Sequence, residues 1–198
     1  MSLQSRDNLI WMDLEMTGLD VDKEVIIEIA TLITDGQLNL VAEGPCLAIH
    51  QSDDILERMD DWNRTHHSAS GLVQRVKASK VSLAGAEDLT LEFIKKYCPA
   101  KHSPLCGNSV GQDRKFLEKY MRNLSDYLHY RNIDVTSVKE VVNRWYPDGP
   151  KLPRKSEAHQ AMTDIRESLR ELTFYRKNFF KDGALADKKP APANVSEP

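Results

Sequence analysis

The sequence predicts a mixed α/β fold: a sheet that opens with an antiparallel meander and carries helices packed against it. Three observations lead there. Strand-like segments come first and in succession. Segments of helical period then alternate with short strand-like ones. The 198 residues, 40% apolar and 29% charged, suit one soluble globular core of ordinary size. The expected organisation is a single domain over 1–180 and a disordered tail over 181–198, where Lys, Pro, Ala and Asp recur without period.

Residues 8–15 read as the first strand, because Leu9, Ile10, Trp11 and Met12 are strongly apolar on both faces. Thr17, Gly18, Leu19 and Asp20 supply a turn. Residues 24–34 (EVIIEIATLIT) form a second strand, and Asp35-Gly36 is a hairpin signal. A third strand spans 39–50, broken by Gly44-Pro45. A short helix is expected at 53–59. The polar stretch 61–71, with Trp62 and two histidines, reads as a functional loop. Leu83, Ala86, Leu89 and Phe93 mark a helix over 82–96, with Ser82 as its cap. A short strand at 104–108 leads to a helix at 112–121. Another at 130–135 leads to a helix at 137–145. A basic, Pro-containing loop at 151–155 precedes the last long helix, 156–180.

Composition excludes several classes. No run approaches the length of a membrane span. The first residues lack the regions of a secretory signal, which points to a cytoplasmic protein. Cys46, Cys98 and Cys106 are odd in number and form no CxxC pair, as expected of thiols in a reducing compartment. The net charge of −3 argues against a long phosphate grip, although an acidic metal site or a very short substrate is compatible with it.

The chemistry gathers on a few acidic residues. Asp13 and Glu15 are two apart on an apolar strand, so their side chains share a face. A buried pair of carboxylates is expensive unless protonated or metal-bound. Asp113 lies at helical spacing from Phe116, Leu117 and Tyr120, on the inward stripe. His159 and Asp164 flank the apolar stripe of the last helix, made of Ala158, Ala161, Met162, Ile165, Leu169 and Leu172. Taken singly, each has an ordinary alternative: an exposed strand face, a first-turn carboxylate favoured by the helix dipole, an exposed His and Asp.

As an ordered set they resemble a family. DLEMTGLD at 13–20, GNSVGQD at 107–113 and HQAMTD at 159–164 are similar to the three motifs of the DEDD exonucleases, which have a ribonuclease H-like fold. The H-x4-D spacing points to the DEDDh branch. WMDLEMTGLD, IIEIATLITD, AEGPCLAIHQ, DWNRTHHSASGL, GNSVGQDRKFL, HYRNIDVTSVKE and RWYP bring the resemblance to the oligoribonuclease family, from about residue 8 to 180. One departure is Thr163, where relatives commonly carry a second Asp; Asp164 is left as the acidic candidate.

The resemblance implies a 3′→5′ exoribonuclease that degrades very short RNA, especially dinucleotides, to nucleoside 5′-monophosphates. It implies two divalent cations, Mg²⁺ or Mn²⁺, on Asp13, Glu15, Asp113 and Asp164, with His159 as general base. Leu19 and Trp62 match positions that wedge and stack on bases. Ser109, Arg131, Thr136 and His67 match positions near the 5′ phosphate. His129 and Tyr130 match residues supplied by the opposite subunit, which implies a homodimer with composite sites. Two other readings stay open on the sequence: an exonuclease acting on longer tRNA or DNA ends, and a catalytically silent domain used for binding.

Overall fold

The computed structural model describes residues 4–152 and 160–180. Five strands form one mixed sheet in the order β3-β2-β1-β4-β5. β1 (Leu9–Met16), β2 (Ile26–Thr34) and β3 (Leu40–Ala48) make the expected antiparallel meander; β4 (Leu105–Gly107) and β5 (Asn132–Asp134) add to β1 in parallel. β1 is therefore central, as its two-sided apolar character requires. Ile10, Met12 and Leu14 point into one core layer, with α4 (Leu83–Tyr97), α5 (Gly111–Tyr120) and α6 (Arg122–Tyr127). Trp11 points into the other, with α7 (Val135–Trp145) and α8 (Ala161–Phe179). By the period of two, Asp13 and Glu15 continue the Trp11 face toward α8. A third cluster joins Ile27 of β2 to α1 (Asp53–Glu57) and α3 (Leu72–Ala78).

β3 runs through Gly44-Pro45 instead of breaking there. The register carries an irregularity between Ala30 and Leu32 of its partner, which absorbs the extra residue as a bulge. Gly44 is required beside it, because a Cβ would lie 2.4 Å from the Phe93 ring.

Several expectations need correction. Residues 61–69 are a helix, α2 (Asp61–Ala69), not a loop. Asp60 caps it through the Asn63 N–H at 2.8 Å, and Trp62 and His66 stack one turn apart at 3.9 Å. Local chemistry makes this helix without an apolar stripe. α3 is an unexpected helix that opens after Gly71 in the left-handed region (φ 73°). α6 is also unexpected, because its cap comes from afar: Glu87 on α4 accepts the Leu124 N–H at 2.9 Å. The inward face of α4 is Ala86, Glu87, Thr90, Leu91 and Ile94, and Leu89, expected in its core stripe, is exposed. Ser82 caps α4 as expected, accepting from Gly85 N–H. The last helix is described from Ala161; the expected start at 156, His159, most of the 151–155 loop and the 181–198 tail lie outside the described residues. Among the described residues no helix is long and apolar enough to cross a membrane.

Gly107 closes β4 where the sheet meets the site. A Cβ there would stand 2.9 Å from Val110 Cγ1 and 3.1 Å from the Met12 carbonyl oxygen. Gly111, at the start of α5, has open space around it. Gly107→Ala is therefore expected to cost about 1–3 kcal/mol in urea denaturation, the usual penalty of overpacking. Gly111→Ala is expected to be neutral or to stabilise by up to about 1 kcal/mol. Equal effects of the two substitutions would contradict this account of β4.

Candidate active site

The carboxyl end of β1 brings Asp13 and Glu15 against the first turn of α8. Asp164 lies between the buried Ala161 and Ile165, which seat that turn on Trp11. One ligand oxygen from each of Asp13, Glu15 and Asp164 falls within 4.8 Å of the others. Asp113 arrives from the opposite layer on the first turn of α5. It is buried, and its Oδ1 accepts the Leu14 N–H at 3.0 Å. The structure thus gathers three of the four predicted carboxylates into one cluster and sets the fourth directly behind the β1 backbone.

The electrostatics are unfavourable as they stand. Burial, then the carboxylates of Asp113, Glu15, Asp164 and Glu28, push Asp13 well above the usual carboxylate range. Burial and then Asp164, Glu28 and Asp113 push Glu15 up to about 8, against an opposing pull from Arg75. Burial pushes Asp113 up to about 7, while the Leu14 N–H works against that shift. Asp13 and Glu15, whose ionised forms burial and repulsion both destabilise, make with Asp164 a set of hard oxygen donors that a divalent cation satisfies.

The other predicted residues fall into separate groups. Leu19 and Trp62 are 72% and 58% exposed, unusual for large apolar side chains. The Leu19 turn is held by the Thr17 hydroxyl donating to Glu24 at 2.5 Å and by the Gln112 amide donating to the Leu19 carbonyl. His67 is buried against β1: its Nε2 lies 3.0 Å from the Met16 carbonyl and its Nδ1 3.9 Å from Glu15 Oε2. In this single chain it sits beside a carboxylate of the cluster. Ser109 and Thr136 pair through their hydroxyls at 3.1 Å. Behind them the Asn108 amide accepts from Thr136 and donates to Ser168 and to the buried Glu171. His129, Tyr130 and Arg131 form their own group: the first two rings are 4.5 Å apart, and the Arg131 guanidinium sits 5.2 Å over Tyr130.

Four residues at or behind the site escape sequence reasoning. Asp134 caps α7 and also accepts the Ser109 N–H at 3.1 Å; an Asp just before a helical segment was a usable signal. Arg114 donates to the His129 carbonyl and to Asn132, and Gln112 to Leu19; neither carries a local signal. Glu28, fully buried, was visible as a lone charge inside the apolar run IIEIATLI.

The raised carboxyls make stability depend on pH. Each holds its proton to higher pH in the folded chain than in the unfolded one, so the folded state binds more protons and stability falls as pH rises between the two values. That window runs from the ordinary carboxylate range to about 7 for Asp113 and about 8 for Glu15. In chelator the thermal midpoint is expected to drop across it, and added divalent cation to flatten the drop. Asp113→Asn keeps an acceptor for the Leu14 N–H and removes a charge. It should melt above the parent in chelator at the upper end of the window. A pH-independent melt in chelator would contradict this electrostatic picture.

Comparison with known proteins places the chain in a family. An exonuclease family model, RNase_T, matches residues 10–172. An oligoribonuclease of Shewanella sp. strain ANA-3 is 56% identical over 175 residues, 88% of this chain and 97% of the relative. One of Pseudomonas putida KT2440 is 55% identical over 179 residues, 90% and 99% of the two chains. Among solved structures, Escherichia coli exonuclease I with a dT13 oligonucleotide superposes with a TM-score of 0.68 at 14% identity, over 87% of this chain and 41% of that one. Exonuclease I of Methylocaldum szegediense gives 0.67 at 15%, over 86% and 40%. The chain spans about two fifths of those exonucleases, and at such identity they speak for the ribonuclease H-like fold alone. The full-length likeness to the curated relatives goes further, and by it this chain belongs to the oligoribonuclease family of exonucleases.

Proposed function

We propose that the protein is a metal-dependent 3′→5′ exoribonuclease that converts very short RNA, dinucleotides above all, into nucleoside 5′-monophosphates. The observation that carries this reading is the convergence of Asp13, Glu15 and Asp164 oxygens within 4.8 Å at the carboxyl end of a central strand. In this reading they and Asp113 hold two divalent cations, Mg²⁺ or Mn²⁺. When bound, the cations neutralise the scissile phosphate and stabilise charge on the attacking and leaving oxygens.

The chain's own residues do the rest. Leu19 wedges between the bases and Trp62 stacks on one, a contact that accepts any base. Ser109, Thr136, Arg131 and His67 engage the 5′ phosphate. His129 and Tyr130 of a second copy close the site, so the working form is a homodimer; the 75% exposure of Tyr130 in the single chain supports this. His159, outside the described residues, takes the proton of the attacking water; its assignment rests on the H-x4-D spacing. Water adds to phosphorus, the bond to the 3′ oxygen breaks, and that oxygen leaves with a proton. The three cysteines are free thiols, which supports a reducing, cytoplasmic setting.

End-labelled RNAs of increasing length, incubated with Mg²⁺, test the reading. The expected result is strong preference for the dinucleotide, with a shallow dependence of KM on salt because few counterions are released. Rates that rise with length, with a steep salt slope, would overturn it. Trp62→Ala is expected to raise the dinucleotide KM by about 10-fold, in line with the ~1–3 kcal/mol of one base stack. Asp13→Ala is expected to lower kcat by about 10³-fold or more, since it removes a cation ligand. Undiminished hydrolysis by Asp13→Ala would remove the metal assignment.

A further inference from the structure

Glu28 is a fully buried carboxylate on β2, paired in register with Glu15 across the β1–β2 ladder. A charge there is costly unless both oxygens are matched, and an apolar residue of similar volume would serve stability as well or better. Both oxygens are matched. Oε1 pairs with Arg75 on α3 and lies 3.7 Å from the Cys46 thiol. Oε2 accepts the Ala161 N–H at 3.3 Å. Ala161 is the first residue of α8, and Gln160, at the cap position, makes no side-chain capping bond to it. The helix end that carries Asp164 is thus capped from inside the sheet, by a residue far away in sequence.

We propose that Glu28 is a positioning residue for the carboxylate cluster: clamped by Arg75, it caps the N-terminus of α8 and fixes where Asp164 stands relative to Asp13 and Glu15. The clamp ties three elements, β2, α3 and α8, to the strand position facing Glu15. It acts on the placement of Asp164 and touches neither substrate nor the reacting atoms. This inference rests on the metal reading of the cluster.

The test measures Mn²⁺ binding to the full chain, by calorimetry and electron paramagnetic resonance, for the parent, Glu28→Gln and Arg75→Gln. Chelator melts report on the fold. Glutamine matches glutamate in size but offers one acceptor oxygen, so it cannot serve Arg75 and Ala161 together. Glu28→Gln is expected to weaken Mn²⁺ binding by about 10–100-fold, the range for outer partners of metal ligands. Arg75→Gln separates positioning from simple charge. Loss of a nearby cation would tighten Mn²⁺ binding if charge alone mattered, whereas a released clamp weakens it. Weakened binding in both variants supports the proposal. Unchanged affinity in Glu28→Gln, or tighter binding in Arg75→Gln, overturns it. Should Glu28→Gln fail to fold, Arg75→Gln, altered at a solvent-exposed side chain, decides alone. A parent that binds no Mn²⁺ would instead sink the metal reading itself, and the clamp with it.

Discussion

Asp13 sits where burial and four other carboxylates all oppose its ionisation. Such an arrangement does not assemble for its own sake, because desolvated like charges are among the most unfavourable contacts a fold can contain. It persists because the elements that carry the charges are fixed by other contacts. β1 has a partner on each side and core on both faces. α8 is seated on Trp11 through Ala161 and Ile165. α5 is seated through Phe116 and Leu117 on the opposite layer. Apolar packing on both sides of one strand thus holds the acidic groups in place.

Two of the acidic groups are also tied to the backbone or to an opposite charge in a way that leaves their neighbours facing the cluster. Asp113 spends one oxygen on the Leu14 N–H, in the backbone between Asp13 and Glu15. Glu28 spends its two on Arg75 and on the start of α8. Glu28 is thereby drawn away from the centre and Asp113 is anchored by one oxygen, while Asp13, Glu15 and Asp164 offer three donors close enough to share one ion. A small hard cation asks for that division of labour: few direct carboxylate ligands, and outer groups that orient them.

How much of this was legible in the sequence depended on whether the cause was local. β1 announced itself because four consecutive apolar residues need cover on both faces, and the DxE spacing followed from the strand period. The inward placement of Asp113 followed from helical period. α2 was misread because a helix made by an Asp cap and a Trp62–His66 stack has no apolar stripe to detect. α6 depends on a tertiary contact, Glu87 capping Leu124, and no short window along the chain contains both residues. The clamp at Glu28 is likewise non-local, although its oddity in an apolar strand was visible. The grouping of motifs into an active site came from family resemblance, because no single motif outweighs its ordinary alternative.

The first turn of α5 joins the carboxylate cluster to two exposed segments, at Leu19 and at Tyr130. Three consecutive residues there reach three different places. Gln112 holds the Leu19 turn, Asp113 holds the β1 backbone at Leu14, and Arg114 holds the His129 carbonyl and Asn132. One helix end therefore anchors the exposed Leu19 turn, the backbone between Asp13 and Glu15, and the root of the segment that projects Tyr130. A protein that grips long RNA needs a basic track, and a net charge of −3 offers little of one. A protein that measures a very short chain needs instead a fixed span between a wedge and a reacting centre. Under the proposed dinucleotide reading, binding energy is realised only by a ligand that reaches both ends, and α5 supplies that span without any added positive charge.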